Sequence, residues 1–108
     1  MNTPAISVIT PIYNVKPFVS HCVESLMNQT FKDVEFIFVD DASTDGSIDI
    51  LDEIIGRYPT RMVKIIHHEK NMGLPAARKT GIAVATGDYV FNCDGDDWVE
   101  PDILGAMY

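Results

Sequence analysis

Asp94, Asp96 and Asp97 fall within one short run, Asn92-Cys-Asp-Gly-Asp-Asp97. Like charges this close repel, and a fold holds them together only where something neutralises them. A hard divalent cation that prefers oxygen ligands, Mg²⁺ or Mn²⁺, suits clustered carboxylates. The plainer reading is a solvated acidic turn. Position favours a ligand site, because the acids follow the apolar run Tyr89-Val-Phe91, which reads as a buried strand. Open α/β sheets bind ligands outside the carboxyl ends of their strands. Gly95 is expected to let the backbone turn sharply between Asp94 and Asp96.

A second acidic pair, Asp40 and Asp41, ends the strongest strand pattern in the chain, Val34-Glu-Phe-Ile-Phe-Val39. In a parallel sheet such ends share one edge. Loops after the first, second and fourth strands can then converge on one pocket holding Tyr13, Asn14, Asp41, Asp94 and Asp96. The Tyr13 ring can stack on a nucleobase, and Asp41 can accept a ring N–H. Against this, Tyr13 can be a packing residue and Asp41 a turn residue. Arg78 comes one turn into a helix that opens at Gly73-Leu-Pro75. It either meets an anion at the helix N-terminus or pairs with one of the acids. His21, His67 and His68 follow no pattern and are given no role.

The elements that must position these groups alternate regularly. Ile6 to Thr10 reads as a strand ended by Pro11. Pro17 opens a helix to about Gln29, with Phe18, Val19, Cys22, Val23, Leu26 and Met27 at helical spacing. After the Val34–Val39 strand, Ser47 is expected to cap a helix faced by Ile48, Leu51, Ile54, Ile55 and Tyr58 and ended by Pro59. Met62 to Ile66 is a third strand. Pro75 opens a helix to about Ala85 whose Ala76, Ala77, Gly81, Ala83 and Ala85 permit close packing. Tyr89 to Asn92 is the fourth strand, and Asp102 starts a further helix. This β-α-β-α-β-α-β order predicts an α/β fold of three layers, α-β-α, around a mostly parallel sheet. The last helix reaches Tyr108 without a cap, so residues 1–108 read as one domain that continues into a longer protein.

Composition narrows the classes. The chain has 108 residues, 46% of them hydrophobic, and a net charge of −8. That supports one core, and it argues against a nucleic-acid backbone or anionic membrane surface as partner. No apolar run approaches the roughly 20 residues of a membrane span, and no signal-peptide pattern opens the chain. Cys22 and Cys93 form neither a disulfide framework nor a zinc spacing, and both read as core residues in a reducing, cytoplasmic setting. Asp41, Ser43, Asp45, Gly46, Ile48 and Asp52 imitate a calcium loop, but a strand precedes them where that loop needs a helix. A phospho-receiver would place Phe38-Val-Asp-Asp41 after its first strand, not its second. No G-x-G-x-x-G follows the first strand, which excludes the dinucleotide fingerprint. A non-catalytic nucleotide-binding module, or a fragment that pairs with a second copy through an exposed sheet edge, remains the alternative to an enzyme.

Four runs in this order resemble a family 2 glycosyltransferase of the GT-A fold. They are Ser7-Val-Ile-Thr-Pro-Ile-Tyr-Asn14, Phe36-Ile-Phe-Val-Asp-Asp-Ala-Ser-Thr-Asp-Gly46, Asn71-Met-Gly73 with Ala77-Arg78, and Asp94-Gly-Asp-Asp97. Ala42 stands where glycine is commoner. The resemblance implies a Rossmann-like, donor-binding half of an enzyme that transfers a sugar, with inversion, from a nucleotide diphosphate donor, expected to be UDP-linked. It implies nucleotide contacts at Pro11, Tyr13, Asn14, Asp41, Arg78 and Asp94. It also implies a Mn²⁺ or Mg²⁺ site at Asp96 and Asp94 of the D-x-D motif, with Asp97 as a further ligand. The general base and the contacts to a glycan or lipid-linked acceptor are expected beyond Tyr108. Cell-wall or polysaccharide synthesis, with the full-length protein at a membrane, is the setting such enzymes suggest.

Overall fold

The computed structural model describes residues 3–107, with Met1, Asn2 and Tyr108 outside them. Strands β1 (Ile6–Ile12), β2 (Val34–Asp40), β3 (Met62–His67) and β4 (Tyr89–Asn92) form one sheet in the order β3-β2-β1-β4. Every neighbouring pair is parallel. Helices α1 (Lys16–Met27), α2 (Ser47–Ile55), α3 (Leu74–Val84) and α4 (Ile103–Met107) fill the intervals.

Both faces of β2 are covered, which explains its unbroken apolar run. Phe36 and Phe38 join Val8, Leu26, Leu51 and Leu104 in the core under α1, α2 and α4. Ile37 and Val39 point the other way, against Ala77 of α3. The three-layer α/β architecture read from the sequence is thus the one observed. On its second face the layer spacing is set by Gly81. A Cβ there would lie 2.5 Å from Ile9 Cγ2, so α3 sits closer to the sheet than alanine permits.

Three local expectations need correction. Pro11 does not end β1. It pairs with Val39 and the strand runs on to Ile12. Its carbonyl accepts from Gly95 N–H, so its missing N–H also faces the β4 side, where the ladder has already stopped at Asn92. Ser47 does not cap α2. It is the first helical residue, behind Gly46 at φ 88°, and its hydroxyl serves Asp45 and the Val15 N–H instead. Helix α2 stops at Ile55, before Pro59, through Gly56.

One charged group lies inside the sheet. Glu35 of β2 is fully buried and ties four segments together. Its carboxylate accepts from Ser7 Oγ (2.6 Å), Thr86 N–H (2.7 Å) and Thr86 Oγ1 (3.0 Å), and pairs with Lys64 Nζ at 2.9 Å. Among the described residues no helix is long and apolar enough to cross a membrane.

Candidate functional site

The strand order reverses beside β1. The chain runs outward through β2 and β3, then returns to lay β4 on the other side of β1. The loop after β1 leads to α1 on one face and the loop after β3 to α3 on the other, and a crevice opens between them at the carboxyl ends of the strands. A cavity of about 360 Å³ lies there, within the range of small-ligand sites. Its walls include Pro11, Tyr13, Asp41, Asp94 and Asp96, five of the positions singled out in the sequence. Tyr13 lines the cavity and is 48% exposed.

Asp41 is the most constrained of the acids. Its side chain is only 4% exposed. Oδ1 accepts from Met72 N–H (2.9 Å) and meets His68 Nδ1 at 2.7 Å, and Oδ2 accepts from Gly73 N–H at 2.9 Å. Burial pushes its carboxyl up, but the bonds from His68, Met72 and Gly73 outweigh this and leave it below the usual range. The chain thus fastens the 68–73 loop onto the end of β2.

Sequence reasoning gave His68 no role, and the structure puts it against Asp41, a residue of the cavity wall. The signal was present in paired form. Asp40 is in register with His67, so two acids and two histidines leave neighbouring strands side by side. His67 Nδ1 meets Asp40 Oδ2 at 2.9 Å in the same way.

The acidic turn behaves differently at each aspartate. Asp94 is paired, with Arg78 Nη2 3.1 and 3.2 Å from its two oxygens. Of the two readings of Arg78, contact with an acid is the one seen, and the Nε of this arginine is buried without a protein partner. The Asp94 carbonyl accepts from the thiols of Cys22 and Cys93, at 3.5 and 3.8 Å. Both cysteines are buried and free, and the hydrogen bond with Cys93, together with burial, pushes the Cys22 thiol far up. Asp97 N–H donates to the same carbonyl at 2.9 Å, which closes the turn. The chain does turn at Gly95, as expected, but without a left-handed φ. Gly95 is needed for room: a Cβ would come within 2.9 Å of both the Pro11 carbonyl oxygen and Ile12 Cδ1.

Asp96 faces the cavity with no hydrogen bond or ion pair among the described residues. Asp97 is exposed, accepts from Trp98 N–H and is not part of the wall. Asn14 is also outside the wall. It adopts φ 49°, and its Oδ1 accepts from Thr44 N–H at 2.8 Å, tying the β1–α1 loop to the β2–α2 loop. No group of three His, Cys, Asp or Glu side chains gathers closely enough to hold a metal among the described residues. The donor set still fits Mg²⁺ or Mn²⁺, which bind through one or two carboxylates and complete their shell with water and substrate phosphates.

The EpsH protein of Bacillus subtilis (strain 168) is 44% identical to this chain over 107 residues, 99% of this chain and 30% of EpsH. Among solved structures, S. aureus TarS in complex with UDP is similar at TM-score 0.85 and 30% identity, covering 94% of this chain and 30% of that one. The mannosyltransferase PcManGT from Pyrobaculum calidifontis, in complex with GDP-Man and Mn²⁺, is similar at TM-score 0.81 and 27% identity, covering 88% of this chain and 28% of that one. The chain therefore spans at most 30% of the length of each of these three proteins. These neighbours share the GT-A architecture expected from the four sequence runs. The profile of glycosyl transferase family 2 matches residues 7–108, which takes in the whole acidic cavity and every strand but for Ile6, and the chain belongs to that family.

Proposed function

We propose that this chain is the donor-binding part of an inverting glycosyltransferase that takes its sugar from a UDP-linked donor. The observation that carries the reading is the convergence of Pro11, Tyr13, Asp41, Asp94 and Asp96 on one cavity at the switch point. Tyr13 offers a ring face to the base, and Asp41 an acceptor to its ring N–H. Asp96, with Asp94 and Asp97 beside it, would hold a Mn²⁺ or Mg²⁺ ion, whose charge would stabilise a departing diphosphate by several kcal/mol. Arg78 borders the diphosphate and, through Asp94, keeps the acidic turn in place. A TarS structure with UDP-GlcNAc supports a UDP-linked donor, and PcManGT with GDP-Man marks guanine as the competing base. In this reading the general base and the acceptor contacts belong to sequence beyond Tyr108.

Titration calorimetry tests the proposal. The 108-residue chain binds UDP when Mn²⁺ is present and transfers no sugar by itself. Asp96→Ala weakens that binding by about tenfold or more, since loss of one charged ligand costs at least about 1.4 kcal/mol. Absence of UDP binding with metal present refutes the reading.

A further inference from the structure

We propose that His68 is a positioning residue that sets base selectivity, by holding Asp41 so that one acceptor lobe of Oδ2 alone faces the ligand. The proposal rests on reading the cavity as a nucleoside diphosphate site. A carboxylate offers about four lone-pair positions. Three on Asp41 are taken, two on Oδ1 by His68 and Met72 N–H, and one on Oδ2 by Gly73 N–H. The remaining lobe accepts a single N–H. Uracil, thymine and guanine present such a ring N–H, whereas cytosine and adenine present a ring nitrogen lone pair that the carboxylate repels.

Without His68 a second acceptor position, on Oδ1, is left open. The two loop amides, one on each oxygen, then hold the carboxylate alone and leave it free to tilt toward or away from the ligand. His68 removes that freedom because it is itself anchored three ways. Its side chain is 8% exposed. Its Nε2 meets Thr80 Oγ1 of α3 at 2.8 Å, and that hydroxyl is bonded to the Ala76 carbonyl at 3.0 Å. Its backbone N–H donates to Asp40 O at 2.8 Å, extending the β2–β3 ladder by one residue. Selectivity at Asp41 therefore depends on a side chain that never touches the nucleotide.

Two measurements test this. In the ligand-free chain, amide hydrogen exchange at Met72 and Gly73 is expected to speed up about tenfold or more in His68→Leu, with the amides of α1 unchanged. His68→Asn, whose amide nitrogen can take the place of Nδ1, restores part of the protection. Thr80→Val removes only the far anchor and gives a smaller rise, which keeps the test open where His68→Leu does not fold. Unchanged exchange in these variants overturns the role of His68 whatever the cavity binds. With Mn²⁺ present, the wild-type preference for UDP over N3-methyl-UDP is expected to be about tenfold or more and to fall towards unity in His68→Leu. An undiminished preference overturns the selectivity claim. A wild-type chain that binds neither nucleotide removes the nucleoside reading itself, while the exchange data still decide whether His68 holds Asp41.

Discussion

Replacing Glu35 by glutamine keeps the shape of the side chain and removes its charge. Burial raises the carboxyl of Glu35, but the hydrogen bonds from Ser7, Thr86 and Lys64 win and lower it from 4.5 to about 2. The folded state therefore favours the charged form over the neutral one by roughly 3 kcal/mol, at 1.36 kcal/mol per pH unit of displacement. A depressed carboxyl contributes in full above its unfolded pKa of 4.5 and loses that contribution as pH falls through about 2. Glu35→Gln, which resembles the neutral form, should thus lose on the order of 3 kcal/mol at pH 7 and little near pH 2. Urea unfolding of both proteins between pH 2 and 7, followed by circular dichroism, measures the gap directly. A difference that stays constant over this range, or stays below about 1 kcal/mol at pH 7, refutes the argument, because a lost neutral hydrogen bond would produce that.

Gly81→Ala should destabilise the chain by about 1–3 kcal/mol, since the new methyl group presses on Ile9 from a helix that cannot retreat without opening the core. Thermal unfolding checks it, and an unchanged midpoint would show that α3 has slack. Gly95→Ala should weaken UDP binding in Mn²⁺ by about tenfold or more, because the obstruction is a backbone carbonyl and the acidic turn must shift. Calorimetry that finds wild-type affinity would mean the turn yields elsewhere.

Much of the fold was legible because strands and helices here obey simple periodicities. The bounds of β4 and the double-sided burial of β2 follow directly from their residue types, but β4, expected to be buried, is a largely exposed edge strand with Tyr89 63% exposed. What escaped depended on neighbours distant in sequence. Pro11 reads as a strand terminator until β4 is known to stop short beside it. Ser47 reads as a helix cap until Val15, 32 positions earlier, is found to use its hydroxyl. His68 reads as an ordinary surface or core histidine until β3 is laid against β2 in register. The cavity itself was inferred correctly from one rule, that parallel strands send their carboxyl ends to a common edge. The rule cannot say which side chains turn inward, and so Asn14 was grouped with the cavity residues although it is not part of the wall.

The sheet order has a consequence for synthesis. Ile6 pairs with Tyr89, and the acidic turn comes later still. While the chain emerges from the ribosome, β1 can dock on β2 early, but its other edge stays bare until over four-fifths of these residues have been made. Pairings between such distant positions are slow to form, and an uncovered strand edge invites foreign partners in the meantime. Among these residues the crevice is therefore one of the last features to form, and mutations that delay β4 should lower the yield of native protein before they change what the finished site can bind.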